Sequence, residues 1–159
     1  MTRSFLALTL VALALPALAH DPIEWNGSTI HVLLDKDATG GSLGMFTSRF
    51  PGPGGPPRHV HDDAGEAFYV LEGGADFLAD GEVIHVSQGE AVFVQKGVDH
   101  TFHLTGDSGG KILVIVTPGG FEGFFEATKH LKLPDDMDEL NRISAEFGQI
   151  FTGPPLAAQ

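Results

Sequence analysis

From residue 28 to about residue 117 the chain is a succession of short runs rich in β-branched and aromatic residues, bounded by Gly, Asp and Pro. Nine runs predict strands, at 29–34, 43–50, 58–61, 66–71, 75–78, 83–86, 91–94, 100–104 and 112–117. The breaks between them, among them Gly40-Gly41, Gly73-Gly74, Ala79-Asp80-Gly81 and Gly109-Gly110, are turn chemistry. Asp80-Gly81 predicts a tight hairpin, because a type I′ turn needs positive φ at both central residues. The Pro/Gly segment 50–57 is unsuited to a central strand, since proline donates nothing to a ladder, and reads as a stiff loop into Arg58. Many short strands at regular spacing predict an all-β double-sheet sandwich or barrel.

After Pro118-Gly119-Gly120 the apolar period becomes helical. Phe121, Phe124 and Phe125 mark one helix over 121–131, and Met137, Leu140, Ile143 and Phe147 mark a second over 135–147. Acids at Asp135 and Asp136 suit the positive end of the second helix dipole. The tail from Gly153-Pro154-Pro155 to Gln159 is expected to fray. The aromatic stripes read first as packing.

Residues 1–19 are set apart. Arg3 precedes an apolar run over 5–15, Pro16 stops it, and Ala17-Leu18-Ala19 has the small-x-small pattern of a cleavage site. The run is well short of the ~20 residues that span a bilayer. A secretory signal peptide is therefore expected, with His20 as the new N-terminus, periplasmic or secreted placement, and no membrane association after cleavage. The organisation expected is signal peptide 1–19, N-terminal strand and loop 20–42, barrel 43–117, and helical extension and tail 118–159.

Composition narrows the chemistry. The chain has 159 residues, a net charge of −12, no cysteine and 8 histidines. Without Cys there is no disulfide scaffold, thiolate zinc site, Fe–S cluster or thiol nucleophile. The negative charge argues against nucleic-acid partners, because phosphate is repelled. With 42% hydrophobic and 19% charged residues, the chain reads as globular.

The histidines are unevenly informative. His59 and His61 sit at i and i+2 of a predicted strand and so share a face. Glu66 opens the next strand, and His100 comes from one far along the chain. Three imidazoles and one carboxylate converging in a small barrel make a nitrogen/oxygen site for a divalent first-row transition metal. Fe, Mn, Ni or Co is favoured there over a closed structural zinc. An H-x-H by itself also suits scattered surface histidines. His31, His85, His103 and His130 have no partners at ligand spacing and read as exposed or capping.

The residues around these ligands resemble the cupin superfamily. Gly55, His59, His61, Glu66 and Gly73 are similar to its first motif, and Gly89, Gly97 and His100 to its second. Gln95 replaces the usual Pro, and Leu104 the usual Asn. The likeness spans about 43–117 and implies a double-stranded β-helix, the jelly-roll or cupin barrel, with His59, His61, Glu66 and His100 as metal ligands. Within the superfamily, the strings around Pro51–Gly73 and Thr117–Phe125 look like single-domain cupins of the quercetin dioxygenase-like group. That resemblance implies O2-dependent cleavage of a phenolic, flavonol-like or enol substrate, with Glu66 as ligand and general base. Phe46, Phe68, Phe93, Phe102, Leu104 and the 121–125 stretch are candidates for an apolar substrate wall, and Tyr69 alternates away from it. The alternative is a non-catalytic cupin that binds a small molecule or metal. A decarboxylase or isomerase acting on a small anionic acid would need an Arg in the barrel, where only Arg49 and Arg58 are near, and Arg58 alternates outward. A small-molecule substrate is the expected partner, and a homodimer is possible for a single-domain cupin. Protein recovered from an exporting host is expected to begin at His20 by intact mass, and retention of residues 1–19 there would contradict the signal reading.

Overall fold

The computed structural model describes residues 20–157, and the expected signal peptide lies outside the described residues. The first strands are β1 (Ile23–Trp25), β2 (Ser28–Leu34), β3 (Gly44–Phe50), β4 (Pro57–His61) and β5 (Gly65–Glu72). They are followed by β6 (Gly74–Ala79), β7 (Glu82–Ser87), β8 (Ala91–Val94), β9 (His100–Leu104) and β10 (Gly110–Thr117). Two helices, α1 (Gly123–Thr128) and α2 (Met137–Glu146), lead to β11 (Gln149–Pro155). All nine anticipated strands form, and the Asp80-Gly81 turn has φ of 51° and 82°.

The strands make two antiparallel sheets, a six-stranded one in the order β1-β2-β3-β10-β5-β8 and a five-stranded one in the order β11-β4-β9-β6-β7. This is a double-stranded β-helix with short C-terminal helices. Alternation aims one face of each sheet at the other. In the six-stranded sheet Phe46, Val114 and Phe68 stand side by side across three strands. In the five-stranded sheet Phe77 lies opposite Phe102. The two layers meet where Phe68 packs on Phe77 at 5.2 Å and on Phe102 at 5.9 Å between ring centroids.

Two expectations need correction. The C-terminal segment does not fray at Gly153: β11 pairs with β4 as the edge of its sheet, where Pro154 and Pro155 do not interrupt an interior ladder. Its mixture of Gly, Pro and polar residues hides a strand that only β4 calls into being. The helices are also shorter than their apolar periods suggested, since Phe121 and Leu131 lie outside α1 and Phe147 lies just beyond α2.

The Pro/Gly segment is more than a connector. Gly54 exchanges backbone hydrogen bonds with Leu104 at 3.2 and 2.8 Å, which ties the segment to β9. A Cβ on Gly55 would overlap the Phe102 carbonyl oxygen. Gly55→Ala is thus expected to lower stability by about 1–3 kcal/mol, the usual range for overpacking. Gly52, where a Cβ meets nothing within 4 Å, is expected to accept Ala within about 0.5 kcal/mol. Denaturant melts of the two variants check the contrast.

Candidate metal centre

β4 presents His59 and His61 on its inner face, with Val60 between them on the other. In the neighbouring strand β9, His100 is the direct antiparallel partner of His59. Glu66 enters from the opposite sheet, on β5 between Val116 of β10 and Val94 of β8. One potential ligand atom from each of the four residues falls within 4.8 Å of all the others, and all four residues are buried. The sheets thus bring His100, 34 residues further along the chain, to Glu66 and the His59–His61 pair.

The hydrogen bonds orient the rings. His59 Nδ1–H donates to the Pro57 carbonyl and His100 Nδ1–H to the Val98 carbonyl, both at 2.8 Å. Each bond places its Nδ1 proton away from the cluster and turns Nε2 toward it. His100 Nε2 also donates to Glu66 Oε2 at 2.9 Å, and His61 Nε2 stands 3.3 Å from the same oxygen.

These contacts shift the proton affinities. Burial, aided by His100, pushes the His59 ring down to about 3, so it is neutral and ready to ligate. Burial by itself raises the Glu66 carboxyl, but His61 and His100 outweigh it and hold Glu66 well below the usual carboxylate range. Burial opposes the charge on His100 in turn, and the hydrogen bond and charge of Glu66 overcome it and raise the ring above the ordinary imidazole range. The cluster therefore holds an ionised carboxylate and a proton on His100. A metal ion held by these residues would take the place of that proton.

The donor set fits a divalent cation. Both ring nitrogens of His61 are buried without a hydrogen-bond partner, and leaving such an atom unsatisfied costs about 1–3 kcal/mol. A cation held by these residues would give the buried His61 a partner and relieve that penalty. His59, His61, His100 and Glu66 would hold it.

His59 and Glu66 open into a cavity of about 530 Å³, counted to its mouth. Of the residues proposed as its wall, Phe46, Phe68 and Phe102 line it, as do Phe121, Phe124 and Phe125. Phe93 does not: on β8 it alternates with the inward Val94 and is 57% exposed on the outer face. Leu104 is fully buried but lies outside the lining, with its methyls against the backbone of Gly110. It therefore does not alter the polarity around the metal ligands. Tyr69 faces outward. Sequence reading missed Gln149 and Phe151, which β11 brings to the lining; their apolar–polar alternation is too short to announce a strand. Arg49 and Arg58 point outward, paired with Glu72 and Asp99, so neither reaches the cavity.

Residues 47–116 match the cupin-domain family model. The chain carries a cupin domain. Solved structures agree on the fold. KdgF from a Halomonas species is 17% identical, with a TM-score of 0.56 over 64% of this chain and 88% of its own. A cupin described as a predicted oxalate decarboxylase from Thermotoga maritima is 22% identical, with a TM-score of 0.55 over 57% of this chain and 80% of its own. The polyketide cyclase RemF from Streptomyces resistomycificus is 26% identical, with a TM-score of 0.50 over 58% of this chain and 66% of its own. None of the curated proteins matches the sequence.

Because the metal competes with the proton on His100, which Glu66 holds above the ordinary imidazole value, its affinity is expected to start falling above that value and to keep falling as pH drops, with proton release on binding. Calorimetric titration of Mn(II) in two buffers of different ionisation enthalpy measures that release. Equal heats in both buffers would contradict it.

Proposed function

We propose that this cupin is an exported metal-dependent dioxygenase acting on a phenolic, flavonol-like or enol substrate. One observation carries the reading: an ionised three-histidine, one-carboxylate cluster opens into a cavity walled mainly by aromatic rings, and its lining contains no Lys or Arg. Such a wall favours a flat, uncharged ring or enol over a small anionic acid or a phosphorylated sugar, each of which calls for a cation.

The chain's own groups then divide the work. Phe46, Phe68 and Phe121 seat the ring and exclude water from the cluster. Glu66, ionised and lining the same space, is the acceptor for the proton of a substrate hydroxyl. His59, kept neutral by burial, and His61 and His100 supply nitrogen donors. A bound Fe, Mn, Ni or Co ion would acidify the coordinated hydroxyl and provide an electronic path between substrate and O2. O2 is the oxidant, and both its atoms enter the product, so no external reductant is needed. The likeness to a polyketide cyclase supports the substrate class, because polyketides are rich in enolisable β-dicarbonyl groups. Export rests on the pattern of residues 1–19, and the absence of cysteine leaves the site free of oxidisable thiols.

Metal-loaded protein is expected to consume O2 in step with loss of a flavonol or a 1,3-diketone. Glu66→Gln, assayed at saturating metal, is expected to lower turnover by about 10²- to 10⁴-fold, the span of general acid–base catalysis. Tight binding of these compounds without O2 uptake would replace the enzyme with a binding protein.

A further inference from the structure

His59 and His100 each have a backbone carbonyl to receive the Nδ1 proton, and His61 has none. Metal-ligating histidines nearly always pass that proton to an oxygen, which fixes the ring and raises the basicity of the ligating nitrogen. An unused oxygen is close at hand. Gln149 is the direct antiparallel partner of His61 across the β4–β11 pair. Directly opposed residues share a face, with Cβ atoms about 4.5–5.5 Å apart. Gln149 is 3% exposed, and its Oε1 is buried with no hydrogen-bond partner. A buried donor without an acceptor thus lies opposite a buried acceptor without a donor.

The backbone that carries Gln149 is firmly held. Ser144 Oγ, from the last turns of α2, donates to the Gln149 carbonyl at 2.9 Å. Asp62 N–H donates to the Gly148 carbonyl at 2.9 Å, which ties the turn before β11 to the end of β4. Gly148 makes that turn with φ of 70°. Phe121 closes the other side of His61, with ring centroids 4.4 Å apart, so the imidazole has little room to turn elsewhere. The terminal torsion of the amide is soft, so Oε1 can turn without moving the backbone.

We propose that Gln149 is the positioning residue for His61: its Oε1 accepts the Nδ1 proton when Nε2 takes up the metal. This rests on the reading of the four-residue cluster as a metal site and deepens it. It also gives β11 a part in the centre that the core ligand motifs do not include.

The test uses the full chain and the metal alone. Mn(II) and Co(II) affinities are compared for the wild type, Gln149→Met, which keeps length and packing but lacks an acceptor, and Gln149→Glu, which retains one. Gln149→Met is expected to weaken metal binding by about 10- to 100-fold, the usual effect of losing such a partner, and Gln149→Glu to recover most of it. In Zn(II)-loaded protein labelled with ¹⁵N-histidine, a slowly exchanging His61 Nδ1–H signal is expected in the wild type and should be absent in Gln149→Met. Thermal melts without metal separate these effects from misfolding, and the histidine signal reports on the wild type whatever the variant does. Equal affinities of wild type and Gln149→Met, or a His61 Nδ1 proton in free exchange with water in the wild type, would overturn the assignment while leaving the metal site intact. A wild type that binds none of the three metals would overturn the metal reading and this inference with it.

Discussion

The structure turns on one buried carboxylate. Glu66 stands on β5, one strand in from the edge of the six-stranded sheet, between apolar neighbours on both sides, and all its compensating partners belong to the other sheet. An ionised carboxylate taken out of water is tolerated only when paired and hydrogen-bonded. His100 and His61 meet that requirement only when the sheets face each other in this register. The aromatic layer of Phe68, Phe77 and Phe102 supplies the non-directional attraction between the sheets. Glu66 adds the directional condition. One residue of slip in β5 would turn it to the outer face and break the cluster.

The same arrangement makes the centre reactive. With a neutral His59, a protonated His100 and an ionised Glu66, the cluster is poorly satisfied without a metal, since His61 lacks hydrogen-bond partners at both nitrogens. Such a site exchanges a proton for a divalent cation with little rearrangement. The cavity beside it is walled mainly by aromatic rings, which lowers the effective dielectric at its polar end.

The segments after the barrel complete the site. Phe121, Phe124 and Phe125 close the cavity wall, and β11 adds Gln149 and Phe151 beside the histidines. Glu122 locks this extension to the barrel: its two carboxylate oxygens accept from Lys36 N–H at 2.7 Å and Gly120 N–H at 2.8 Å. A side chain on Gly44 would displace that carboxylate from its present position.

The local sequence determined most of the strands and the shared face of His59 and His61, because a period of two and turn-forming Gly and Asp act over a few residues. Cupin-like spacing extended that reading to Glu66 and His100, whose convergence no local pattern reveals. The placement of Phe93 was misjudged because aromatic character does not tell which face of a strand a residue takes. Phe93 follows Val92 and precedes Val94, and only the pairing of β8 with β5 sets the inward residue. Leu104 was misjudged because neighbours in a motif need not be neighbours in space. β11 escaped for a deeper reason: its strand conformation comes from hydrogen bonds to β4 and not from its own composition. The tertiary structure alone decided which aromatics wall the cavity, that both arginines turn away from it, and that Gln149 faces His61, because each depends on contacts between segments that the chain order does not place together.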